Sequence, residues 1–269
     1  PLGLRAGRRT VEVAARTAQC DTAQMFWCST RRDAIRVTGS DAASYLQSPV
    51  SQDLRPLAVG ASAWSFVLSP TGKVDALVRV RRLADDEFVL DTDEGSGEHL
   101  RNRLLRFRIR VAADMVAEAI EVLAFRGDGL PPAPDDALVS WGGGVDLVPS
   151  SAGAPDWCAA VPQGTADDLL AARIEACWPA MGTEIVAGET IPAETGIVGV
   201  AVSFSKGCYP GQELVERMDS RGAAAPRSLR VVDLDASGSV VGFDPDTAVV
   251  TSRCGTRALA YVRRSATSA

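Results

Sequence analysis

Histidine is almost missing from this sequence: His99 is the single one in 269 residues. That excludes a multi-histidine zinc site and the HExxH arrangement, and a Ser-His-Asp triad would have to use His99. The six cysteines, Cys20, Cys28, Cys158, Cys177, Cys208 and Cys254, form no CxxC pair, so zinc-ribbon and thioredoxin-type motifs are absent as well. A chain this long that is 46% hydrophobic builds a core without a disulfide framework, and the sequence predicts reduced thiols in the cytoplasm. Long apolar runs are also lacking. Ile197–Phe204 is interrupted by Gly199 and Ser203, whereas a membrane span needs roughly 20 apolar residues. Positive charge is in the minority, 28 Lys and Arg against 34 Asp and Glu for a net charge of -6. This argues against general nucleic-acid binding through phosphate neutralisation.

What is present is a mixture of helical and alternating patterns. Residues 1–30 form an unassigned N-terminal tail whose first part is rich in arginine and poor in acids. It reads as a disordered tail, with a mitochondrial transit peptide, and hence the matrix, as the alternative. Ile35 and Val37 mark a strand ending at Gly39, and Ser40 is placed to cap a helix over 41–47. Trp64–Leu68 and Lys73–Leu83 flank Ser69-Pro70-Thr71-Gly72 as a hairpin, followed by a strand at Glu87–Asp91. A helix is expected at Glu98–Leu105, then strands around Phe107–Val111, Ile120–Phe125, Ala137–Trp141, Val145–Val148 and Trp157–Val161. Arg101, Arg103, Arg106, Arg108 and Arg110 read as a solvated face, with an anion or RNA contact as the other reading. Thr165 and Asp168 suit a helix N-terminus, and Leu170, Ile174 and Cys177 would share one face of that helix. Strands at Leu229–Leu234, Ala248–Thr251 and Ala258–Val262 close the chain. The fold class is α+β.

The segment richest in chemistry is Ser205-Lys206-Gly207-Cys208-Tyr209-Pro210-Gly211-Gln212-Glu213, after the apolar run Ile197–Phe204 and before Leu214, Val215 and Met218. The pattern reads as strand–turn–helix, with Pro210 in the first helical turn. A cysteine just before a helix N-terminus and near a lysine is favoured as thiolate. The residues alone leave two readings, an accessible activated thiol or a buried free cysteine in a tight connection.

Lys-Gly-Cys-Tyr-x-Gly-Gln-Glu at 206–213 resembles the signature of the YgfZ-type folate-binding proteins, relatives of the glycine-cleavage T-protein, an aminomethyltransferase. Residues 35–39 and 45–47, 173–176, 182–185, 191–196, 250–252 and 258–263 resemble flanking segments, so the likeness spans 31–264. It implies a ring of interleaved α+β subdomains, 31–225, around a central folate-sized hole, with a short C-terminal β barrel at 226–269. It implies tetrahydrofolate or a derivative as cofactor. It also implies a role in assembly or repair of iron–sulfur enzymes, whose assembly proteins or client enzymes would be partners. By the resemblance Cys208 is the critical thiol, and Lys206, Gly207, Tyr209, Gly211, Gln212 and Glu213 accompany it. Glu175 matches the T-protein glutamate that holds the pterin, or is a solvated helix residue. Asp75 lies near the T-protein's catalytic aspartate, or is a polar residue on a strand face; Ala76 stands where a second acid is expected.

No stably bound metal is expected, since an iron–sulfur site takes about four ligands and one cysteine lies in a recognised motif. The alternative activity is folate-dependent aminomethyl or methyl transfer. A third reading is thiol redox chemistry between Cys208 and Cys177 or Cys254.

Overall fold

The computed structural model describes residues 24–106, 108–149, 159–220 and 225–264. The main sheet is antiparallel throughout. It is built from β1 (Phe26–Thr38), β2 (Ser62–Leu68), β3 (Val74–Ala84), β4 (Glu87–Asp93), β5 (Asp114–Arg126) and β6 (Val145–Leu147), in the order β2-β3-β4-β1-β5-β6. Alternation along these strands sends two residue sets to opposite faces. Ile35, Val37, Val78, Val80, Phe88 and Leu90 face one side. They pack on α1 (Ala42–Leu46) and α2 (Gly97–Leu105) through Leu46, Leu100 and Leu104. On the other face Trp64, Phe66 and Leu77 pack on Trp178, Ile185, Ile197, Tyr209 and Val215. Arg79 and Asp91 also lie within the sheet, 0% and 2% exposed.

Helix α3 (Ala166–Glu175) starts as its sequence predicts: Thr165 Oγ1 accepts from the Asp168 N–H and Asp168 Oδ2 from the Thr165 N–H. This reciprocal box satisfies two orphan donors of the first turn. Ala171 and Ile174 of α3 then pack on Leu229, Leu259 and Tyr261 of a second sheet. That sheet has β7 (Arg227–Asp233), β8 (Ala248–Cys254) and β9 (Arg257–Arg263) in the order β7-β9-β8. The short C-terminal unit, expected as a small barrel, is this three-stranded sheet among the described residues. Glu184, 1% exposed, ties it to the core. It accepts from Arg173 Nη1, Thr251 Oγ1 and Ser252 Oγ, each at 2.7 Å. Burial alone would raise the Glu184 carboxyl; Arg173 and the hydroxyl bonds outweigh it and hold the pKa below the ordinary value.

Several local expectations are corrected. Strand β1 begins at Phe26, so residues 26–30, read as tail, belong to the sheet. Ser40 does not cap α1; Asp41 precedes the helix, and its carboxylate accepts from the Ala112 N–H instead. That bond and the Asp41 N–H to Ala112 carbonyl bond draw the chain before β5 onto α1. No strand forms there, and Ile109 is left 75% exposed; Phe107 lies outside the described residues. Arg103 from the basic cluster is buried, not solvated. Ala137–Trp141 is not a strand but makes one bridge, Leu138 to Asp146. Residues 157 and 158 lie outside the described residues. The apolar run at 197–204 is a short helix, α4 (Val198–Ala201), not a strand. A short apolar run does not distinguish the two by periodicity. Here the Val200 and Ala201 carbonyls are claimed by Gln52 Nε2 (3.0 Å) and Ser51 Oγ (2.7 Å). No helix among the described residues is long and apolar enough to cross a membrane.

Candidate functional site

The expected site residues fall at three separate places. The 206–213 motif connects α4 to α5 (Gln212–Ser220). Lys206 is buried and turns inward: its ammonium donates to the carbonyls of Gln47, Val50 and Gln52. Burial disfavours the charge and pushes the Lys206 pKa down to about 8. The lysine therefore clamps the 47–52 segment rather than lying free beside the thiol. Tyr209 is buried in the second core, 5.7 Å from Lys206 Nζ to ring centroid, and burial pushes its pKa up to about 12.

Gly211 has φ +79°, and a β-carbon there would lie 2.6 Å from the Ser69 carbonyl oxygen and 2.7 Å from Gly72 Cα. Only glycine allows this contact between the motif and the β2–β3 turn. Gly207 is exposed and borders open space. Helix α5 starts at Gln212, so Pro210 precedes the helix instead of occupying its first turn, and Cys208 is four residues from it. Gln212 pairs with Glu216 along α5, and Glu213 is exposed in the first turn. Cys208 is exposed and borders a small cleft with Ser48, Pro49, Tyr209 and Pro210. Among the described residues this cleft contains no second cysteine for a disulfide partnership; Cys177 and Cys254 pack with the second sheet. Cys20 and Cys158 lie outside the described residues.

Asp75 is buried on β3, ion-paired with Arg103 Nε, and His99 Nε2 lies 3.9 Å away. Glu175, at the C-terminal end of α3, accepts from Arg257 Nε (2.6 Å) and Nη2 (2.8 Å). Those bonds hold its carboxyl below the ordinary carboxylate range. Neither acid, nor any motif residue, lines the molecule's large cavity.

That cavity, about 410 Å³, lies between the main sheet and α3. Its walls include Trp64, Trp141 and Trp178, Arg32, Arg126 and Arg173, and two carboxylates, Asp93 and Asp146. Apart from Arg173, which pairs with Glu184, these charged groups belong to one chain through the sheet. Arg32 pairs with Asp91 and with Asp93 Oδ1 (2.7 Å). Arg79 donates to Asp91 Oδ2 (2.9 Å) and Asp146 Oδ2 (2.7 Å), and Arg126 to Asp146 Oδ1 (2.7 Å). Burial alone would raise the Asp146 carboxyl, but Arg126 and Arg79 overcome it and keep its pKa below the ordinary 3.8.

The aromatic rings are equally ordered: Trp64 and Trp178 centroids are 4.9 Å apart, and the Arg126 guanidinium stands 3.8 Å from the Trp141 ring centroid. Trp64 Nε1 and Arg126 Nε, in two of the lining residues, are themselves buried and have no hydrogen-bond partner among the described residues. A volume of this size with aromatic walls and a few polar groups suits a small organic ligand. Sequence reasoning missed this site. The available signal was charge at Arg79 and Asp91 within otherwise apolar strands, together with tryptophans at 64, 141 and 178.

No protein-family model matches the chain. A solved structure of the glycine cleavage system aminomethyltransferase T from Bartonella henselae superposes with a TM-score of 0.66 at 16% identity, over 91% of this chain and 80% of that one. The tRNA-modifying protein YgfZ of Vibrio vulnificus is 26% identical over 244 residues, 81% of this chain and 72% of the relative. The fold is YgfZ-type and T-protein-like. An uncharacterised protein of Haemophilus influenzae is 24% identical over 202 residues, 74% of this chain and 70% of the relative. The T-protein-like fold accounts for the mixed architecture: a curled antiparallel main sheet and a small second sheet.

Proposed function

We propose that this chain binds tetrahydrofolate or a derivative in the 410 Å³ cavity and supports assembly or repair of iron–sulfur enzymes, in the cytoplasm, with Cys208 as its functional thiol. The cavity carries the folate reading. It lies in a fold shared with an aminomethyltransferase, and its lining fits a flat, polar-edged heterocycle: tryptophans, arginines and a carboxylate, Asp93, that is 29% exposed. Trp141 and Trp178 would hold the ring, and Arg32 and Arg173, whose side chains are 16% and 14% exposed, would serve its acceptors. When bound, the folate supplies a one-carbon carrier. Cys208 lies outside the cavity, so its role is at the surface, toward a partner such as an assembly protein or client enzyme. The likeness to the tRNA-modifying protein YgfZ of Vibrio vulnificus makes enzymes of tRNA modification the first clients to test.

Cys208→Ala is expected to bind tetrahydrofolate as the parent protein does and to lose complementation of an iron–sulfur enzyme defect in a strain lacking the protein. Full complementation by the variant would remove the thiol from the account. Aminomethyl transfer is the second reading, favoured by the T-protein-like fold. Asp75 is the acid it would use, and the ion pair with Arg103, outside the cavity, disfavours it. An assay for one-carbon transfer to tetrahydrofolate, with Asp75→Asn as control, separates the two.

A further inference from the structure

A pterin presents an N3–H and a 2-amino group side by side, and the natural partner of such an edge is a carboxylate. The resemblance assigns that task to Glu175. The structure places Glu175 elsewhere: it pairs with Arg257 through both oxygens and does not line the cavity. Something else on the wall must accept from the pterin if the proposed folate reading holds.

Among the described lining residues there are two carboxylates. Asp146 is closed, its side chain 6% exposed and each oxygen bound to a buried arginine. Asp93 is different. Its side chain is 29% exposed. Each oxygen has one protein partner, Arg32 Nη1 on Oδ1 and the Met181 N–H on Oδ2 at 2.8 Å. A carboxylate offers about four acceptor sites, so both oxygens keep capacity on the side open to the cavity. Ser29, Thr30 and Gln163 also line the wall and offer neutral acceptors, weaker partners for an amine edge than a carboxylate, whereas Arg31, Arg32, Arg126 and Arg173 are donors only. The arginines serve acceptors of a ligand and cannot serve its amine.

We propose that Asp93, held in place by Arg32 and the Met181 N–H, is the carboxylate that receives the amine edge of a pterin in this cavity. The assignment rests on the folate reading and adds to it a specificity residue. Arg32 acts through Asp93 as a positioning residue.

The test pairs a change in the protein with a change in the ligand, so that a general loss of packing cancels. Tetrahydrofolate and its 2-desamino-2-methyl analogue, which lacks the donor, are titrated calorimetrically into the parent protein, Asp93→Asn, Asp93→Ser and Glu175→Gln. The serine variant keeps an acceptor for Met181 and serves if the asparagine variant does not fold, as judged by circular dichroism. The parent should prefer tetrahydrofolate by about tenfold to a hundredfold, the effect of one charge-assisted hydrogen bond. Either Asp93 variant should reduce that preference to within about twofold by the same reasoning, and Glu175→Gln should keep it. Retention of the full preference by the folded Asp93 variants, or its loss in Glu175→Gln, overturns the assignment. No tetrahydrofolate binding by the parent overturns the folate reading and this assignment together.

Discussion

Replacing Asp146 with asparagine is expected to cost about 3–5 kcal/mol of folding stability, the cost of removing one partner from a buried ion pair. The reason lies in what is left behind. Arg79 keeps Asp91, but Arg126, 2% exposed, loses the carboxylate on Nη1 and remains charged against the Trp141 ring and the Phe125 carbonyl. Urea unfolding measures this directly. The pH dependence has a fixed sign. The Asp146 pKa is held below 3.8 in the folded chain. Its stabilisation is therefore complete above the unfolded pKa and is lost as pH falls through the lowered one. The asparagine variant should lack that part of the acid loss. The double replacement Arg126→Met with Asp146→Leu should recover much of the stability, because it leaves no unpaired charge. A cost for Asp146→Asn within about 0.5 kcal/mol, the range of an ordinary surface substitution, would contradict the network.

Gly211→Ala is the second large effect. A β-carbon at this position meets the Ser69 carbonyl oxygen and Gly72 Cα at 2.6 and 2.7 Å, and φ is +79°. The left-handed backbone costs about 1–2 kcal/mol and the forced displacement about 1–3 kcal/mol, so a total of roughly 2–5 kcal/mol is expected. Backbone cannot yield as a flexible side chain does, so the motif must move away from the β2–β3 turn. Thermal unfolding of the variant reads the cost, and hydrogen exchange should quicken around 206–213 and 69–73. Gly207→Ala is the matched control, since a β-carbon there meets no atom within 4 Å. Equal stability of the two variants would show that the contact at Gly211 does not matter.

What could be read from the sequence was local. The hairpin around Ser69–Gly72, the Thr165–Asp168 box and the three C-terminal strands each have their own pattern within a few residues, and the structure shows them. The likeness to the T-protein supplied the architecture that periodicity lacks. The cavity was not legible because its walls come from separate elements: Trp64 from β2, Arg126 from β5, and Trp141 and Trp178 from loops. No spacing in the chain announces that they meet. Lys206 shows a subtler failure. Proximity in sequence made it a neighbour for the Cys208 thiol, whereas three carbonyls at 47, 50 and 52 draw it inward. Glu175 has a partner its sequence position does not announce: it matches the T-protein segment, and Arg257 from β9, 82 residues on, pairs with it.

The central claim is that the ligand site is the cavity between the main sheet and α3, with the Cys208 cleft a separate surface. Hydrogen–deuterium exchange with and without tetrahydrofolate tests this in one measurement. Protection is expected in segments 26–32, 62–66, 122–126 and 166–180, with 206–213 unchanged. No protection anywhere, or protection confined to 206–213, would contradict it.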